Sequence, residues 1–97
     1  MAFNLLISIQ AQADTITAIN YYGAINANIV DRFLTELLNA YRKILENPQY
    51  YSYISSKPAD KLRDIKLKVF PYVIVYQVQE ENVIIMAVFN TYKKPIL

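Results

Sequence analysis

The chemistry open to this chain is set first by two absences: it contains no histidine and no cysteine. Thiol nucleophiles, disulfides and the usual zinc ligands are therefore excluded, as is the side chain that titrates near neutrality without help. Any proton transfer falls to Asp, Glu, Lys or Tyr with a shifted pKa. No metal and no cofactor is expected. The charged groups that could act on an anion gather late in the chain, where Lys66 and Lys68 alternate with Asp64, Arg63 lies beside them, and Tyr92, Lys93 and Lys94 follow near the end. Residues 1–56 hold three cations against four anions, and residues 57–97 hold seven against four. Such a bias suits either an ordinary solvated surface or an anionic target or acidic partner segment.

These groups need elements to position them. Phe3, Leu5, Ile7 and Ile9 alternate with Asn4, Ser8 and Gln10, the period of a strand burying one face. From Ala11 onward Ala13, Ile16, Ile19 and Tyr22 recur at helical spacing, and Gly23 can supply a left-handed terminus. A second helix is marked by the stripe Val30, Phe33, Leu34, Leu37, Leu38, Tyr41, Ile44 and Leu45, with Asn26 or Asn28 as its cap. Pro48 should stop it. Asp31, Arg32, Glu36, Arg42, Lys43 and Glu46 fall mostly on its wet side.

Beyond a connection that includes Tyr50, Tyr51 and Tyr53, which could hold a short strand or a contact patch, the period changes to two. A strand over 62–69 places Asp64, Lys66 and Lys68 on one face and Arg63, Ile65 and Leu67 on the other. Tyr72–Val78 and Val83–Phe89 read as central strands, apolar on both faces and joined tightly through Gln79-Glu80-Glu81-Asn82.

The predicted order is strand, helix, helix and a run of strands, an α+β class in which the helical pair covers one face of a mainly antiparallel sheet. At 97 residues the chain is expected to form one domain over 1–97. Central strands that are apolar on both sides then require a cover for the second face, either a partner or the chain's own long Lys and Tyr side chains. The stretch before Ala11-Gln12-Ala13 is too short and lacks the preceding cation of a signal peptide, and no segment has the apolar length to span a membrane. The lack of cysteine fits a reducing cytoplasm.

The segment Leu62-Arg63-Asp64-Ile65-Lys66-Leu67-Lys68-Val69-Phe70-Pro71-Tyr72-Val73-Ile74-Val75-Tyr76 resembles the RelE/ParE toxins of type II toxin-antitoxin systems, also called plasmid-stabilisation proteins. There an arginine and a short strand precede Phe-Pro-Tyr-x-Ile-x-Tyr. Val83 to Phe89, followed by Asn90, Thr91, Tyr92, Lys93, Lys94 and Pro95, is similar to the family's last strand and its basic end. Tyr21-Tyr22, Arg32-Phe33 with Leu37, and Glu46-Asn47-Pro48 fall where the family has paired aromatics, a helix core and a helix stop.

The resemblance implies a β-α-α-β-β-β fold, a cognate antitoxin whose C-terminal segment wraps the toxin, and growth inhibition. One branch of the family cuts messenger RNA on the ribosome; another poisons DNA gyrase. For the cutting branch Lys66 and Lys68 stand on the lysine-bearing strand and Tyr92 could serve as an acid. The phosphate-clamping arginine is replaced by Val73, Asn90 stands where a histidine would, and Lys93 lacks the guanidinium fork. The expectation is therefore a ParE-like binding toxin, with ribonuclease activity as the alternative and, as a third, a decayed, harmless toxin retained as a protein-interaction module or self-associating protein. Contacts to target or antitoxin are expected from Arg63, Lys66, Lys68, Val73, Val75, Asn90, Tyr92, Lys93 and Lys94. For Arg63 the competing role is an ion pair with Asp60 or Asp64.

Overall fold

A computed structural model describes residues 2–54, 59 and 61–92. Strand β1 (Asn4–Ile7) leads into helices α1 (Ile9–Gly23) and α2 (Ala27–Glu46), then strands β2 (Leu62–Lys66), β3 (Tyr72–Gln79) and β4 (Asn82–Asn90). The fold is α+β in the predicted order.

Each boundary has a local cause. The Ser8 hydroxyl accepts the Ala11 N–H, so α1 starts at Ile9, two residues before the apolar spacing suggests, and β1 is correspondingly shorter than Phe3–Ile9. Asn26 rather than Asn28 caps α2, through the Asn28 N–H. Gly23 does not end α1 in a left-handed conformation. The next residue, Ala24, remains right-handed, and the N–H groups of Ala24, Ile25 and Asn26 bond back to the Asn20 and Tyr22 carbonyls. Helix α2 ends at Glu46 with Asn47 as its C-cap, directly before Pro48.

The sheet order is β1-β4-β3-β2. β2, β3 and β4 are antiparallel neighbours, whereas β1 lies parallel to β4, so the sheet is mixed. A two-residue turn joins β3 to β4, with Glu80 at φ 55 in the left-handed region that tight hairpins demand. The register slips between Val75 and Tyr76, leaving Met86 as the extra residue of a bulge in β4. That bulge lets Ile85 and Val88, three residues apart, both face the helices.

The core is one cluster. Ala11, Ala18 and Tyr22 from α1 and Phe33, Leu37, Ala40, Tyr41 and Ile44 from α2 pack on Tyr72, Ile74, Tyr76, Val83, Ile85 and Val88. Both helices therefore press on the same side of the sheet. Leu38, expected in the core stripe, is exposed, because the buried arc is centred on Phe33, Leu37, Tyr41 and Ile44 and leaves position 38 beyond its rim. At one end Tyr22, Phe33, Phe70 and Tyr72 form an aromatic knot with ring centroids 5.2–6.3 Å apart.

Candidate functional site

Strand alternation decides what the helix-free face presents. Tyr72, Ile74 and Tyr76 of β3 belong to the core, so Val73, Val75 and Gln77 point the other way. Their cross-strand partners share that face. Val73 is flanked by Phe89 and Lys66, Val75 by Ala87 and Asp64, and Gln77 by Ile84 and Leu62. Leu6 continues the band beside Ile84 and is half exposed. An apolar stripe thus crosses the sheet, with Asp64 and Lys66 along its β2 margin. Val75 is only 6% exposed although it lies outside the core cluster, so the middle of this face is already partly dry. Val73, Ala87 and Phe89 are half-buried.

The margin carries the predicted polar groups. Lys66 ends β2 with an exposed side chain beside Val73. The strand stops there and does not reach Val69 as predicted, so Lys68 lies on the β2–β3 turn. The cause is Glu36: its carboxylate accepts the backbone N–H groups of Lys68 at 2.8 Å, Val69 at 3.1 and 3.3 Å, and Phe70 at 3.2 Å. Three successive amides turned onto one anion cannot continue a strand ladder. Helix α2 thereby fixes where Lys66 and Lys68 stand relative to the open face.

Arg63 has a different place. Its Nη1 donates to the Tyr51 carbonyl at 2.6 Å and the Gln49 carbonyl at 3.2 Å, and its guanidinium lies 4.0 Å from the Tyr53 ring centroid. Among the described residues it forms no ion pair with Asp64; Asp60 lies outside them. A single antiparallel bridge, Tyr53 to Arg63, replaces the short strand that the tyrosine-rich connection could have held. Tyr76 works with it, its hydroxyl donating to the Pro48 carbonyl at 2.6 Å in the interior. Burial pushes the Tyr76 phenol up to about 12, against the opposing pull of Arg63. Of the three tyrosines, Tyr50 is solvent-facing, Tyr51 packs on the core and Tyr53 covers Arg63.

At the far end of β3 and β4, Tyr72 and Asn90 are register partners, and the Asn90 amide is 3.5 Å from the Tyr72 hydroxyl. The Asn90 Oδ1 accepts the Tyr92 N–H at 2.9 Å, while the Tyr92 ring is almost fully exposed. Burial, and then the Tyr72 phenol, raise Tyr22 to about 12. Such a group is a neutral donor at physiological pH and no base. Lys93 and Lys94 lie outside the described residues. The structure therefore brings Lys66, Val73 and Val75 onto one surface and separates Arg63 from it.

Two carboxylates escaped the sequence reading. Glu36 was assigned to the wet side of α2, and Asp14 had no assigned role. Asp14 Oδ2 accepts the Val88 N–H at 3.0 Å, closing the part of the β4 edge that β1 leaves uncovered, while the Ser8 hydroxyl donates to the Met86 carbonyl. The one available signal was their spacing, one turn from the core positions Ala11 and Ala18 for Asp14, and Phe33 and Ala40 for Glu36.

Residues 5–94 match the family model described as the ParE toxin of the type II toxin-antitoxin system parDE. The chain belongs to the ParE toxin family. Its fold is shared by a solved structure titled "Chromosomal ParDE TA system from P. aeruginosa", with a TM-score of 0.78 at 14% identity, covering 92% of this chain and 96% of that one. No curated protein sequence matches. Among the described residues of this ParE-family toxin no helix is long and apolar enough to cross a membrane.

Proposed function

We propose that this type II toxin is held inactive by a cognate antitoxin seated on the open sheet face, and that once free it inhibits growth by binding DNA gyrase rather than by cutting RNA. The apolar band from Leu6 through Ile84 and Val75 to Val73 and Phe89, bordered by Lys66, carries the first half of this reading. An amphipathic antitoxin segment with acidic residues would cover the apolar stripe and meet the lysine margin.

The second half rests on Val73. Its side chain projects onto the open face between Lys66 and Phe89. A phosphate-clamping cation would be needed there for transition-state charge, and the position is apolar. The deciding experiment adds purified toxin to gyrase with relaxed plasmid. Loss of supercoiling and accumulation of cleaved DNA are expected, with transcripts intact during growth arrest. Codon-specific transcript cleavage that weakens in Lys66→Ala, Lys68→Ala or Tyr92→Ala would instead establish the ribonuclease reading.

A further inference from the structure

Charge is nearly absent from the first third of this chain. The first thirty residues hold a single charged side chain, Asp14, and its carboxylate is engaged by the Gln10 amide and the Val88 N–H. Six of the large hydrophobics exposed among the described residues, Leu6, Ile7, Ile9, Ile16, Tyr21 and Ile25, lie in this segment. Protein surfaces ordinarily mix charges of both signs at this scale.

Part of this segment lies along the outer edge of the sheet. β1 is an edge strand; the Asn4 N–H bonds to the carbonyl of Glu81, just before β4, and the N–H of Ser8, just after β1, bonds to the Ile85 carbonyl. The alternate residues Leu5 and Ile7 therefore direct their backbone groups away from the sheet. The Ile7 carbonyl is met there by the Gln12 amide at 2.9 Å, which places the Gln12 side of α1 over that outer edge. Ile9, Ala13, Ile16 and Asn20 share this side at three- and four-residue spacing, and all are exposed. The remaining outward groups, the Leu5 N–H and C=O and the Ile7 N–H, have no partner among the described residues. β1 also has no lysine, proline or bulge, three of the devices that discourage an edge from pairing.

We infer that β1 and the Ile9–Ile16 side of α1 form an interface between two copies of this chain, with β1 antiparallel to its symmetry mate. Across a two-fold axis the same surface meets itself, residues on the axis facing their own equivalents and the others meeting in reciprocal pairs, so a surface of one charge sign repels its copy and a surface without charge carries no such penalty. Pairing β1 with its mate satisfies the outward backbone groups and joins two sheets into one of eight strands. It also lays Ile9 and Ile16 beside the partner helix, with Ala13 small enough to permit close approach. The apolar face proposed for the antitoxin stays open on both copies.

Light scattering of the purified chain over a concentration series tests this inference. The wild type is expected at twice the chain mass. Ile9→Lys with Ile16→Lys alters two exposed side chains, so the circular dichroism should be unchanged while the dimer dissociation constant rises on the order of a hundredfold, through like charges facing across the axis. Mixing Ile16→Lys with Ile16→Glu protein should restore a dimer that neither forms alone. A monomeric wild type, or a dimer indifferent to both lysines, overturns the inference. So does a wild-type monomer whose neutral surface is occupied only when antitoxin is added.

Discussion

The Glu36 carboxylate grips the Val69 backbone N–H with both oxygens, at 3.1 and 3.3 Å, and the same group reaches Lys68 and Phe70 on either side. A residue on α2 thus decides where β2 ends and where the lysine margin begins. Charge-assisted hydrogen bonds of this kind contribute more than neutral ones. Glu36→Ala should lower unfolding free energy by about 2 kcal/mol, part of the loss being recovered because water reaches the exposed Lys68 and Val69 amides. Glu36→Gln should fall between. Urea denaturation of the three proteins checks the order.

Arg63 makes the opposite kind of prediction from Lys66. Because it ties the segment after α2 to β2, through the Gln49 and Tyr51 carbonyls and the Tyr53 ring, Arg63→Ala should cost roughly 1.5–3 kcal/mol of stability. Arg63→Lys should recover only part of it, since an ammonium cannot both fork between the carbonyls and lie flat on the ring. Thermal melts decide the matter. An unchanged melting temperature with altered antitoxin affinity would return Arg63 to the binding surface.

Lys66→Ala is expected to leave the melting temperature within error, because the side chain is exposed at the end of β2. It should weaken antitoxin binding severalfold at low ionic strength and much less in high salt, since a rim charge is screened. Titrations at two salt concentrations measure the difference.

Three buried phenols predict an alkaline limit. Tyr22, Tyr41 and Tyr76 are each raised from 10.0 to about 12, foremost by burial. The unfolded chain loses these protons near 10 while the folded chain keeps them. Their contribution to stability is therefore complete below pH 10 and disappears as pH rises from 10 toward 12. Native-state absorbance at 295 nm should show these phenols ionising late, and chemical denaturation midpoints should fall over that window. The Tyr41 hydroxyl has no hydrogen-bond partner among the described residues and also feels Asp14. Asp14→Asn should lower its pKa without abolishing the effect of burial.

Much of the framework was legible because period and punctuation agree. The α2 stripe and Pro48 fixed that helix, and Pro71 with the hairpin at Glu80-Glu81 framed β3 and β4. What escaped reading depends on distant partners. The end of β2 at Lys66 is set by a carboxylate more than thirty residues earlier in the chain, and the parallel pairing of β1 with β4 is a choice between neighbours that no local pattern encodes. Leu38 fell outside the core because a helical stripe marks an arc and not its limits. Of the site, Lys66, Val73 and Val75 share one face as their alternation implied. Arg63 does not, since the carbonyls it binds belong to an irregular segment with no periodic signature.

The central claim is that the antitoxin occupies the helix-free face of the sheet. Val73 is half-buried on that face, away from the core cluster, so Val73→Asp places a carboxylate there without opening the interior. Calorimetric titration of this variant with the cognate antitoxin tests the claim most directly. A loss of affinity on the order of a hundredfold or more, with the circular dichroism spectrum retained, is the predicted result. Wild-type affinity in a folded Val73→Asp protein would contradict it.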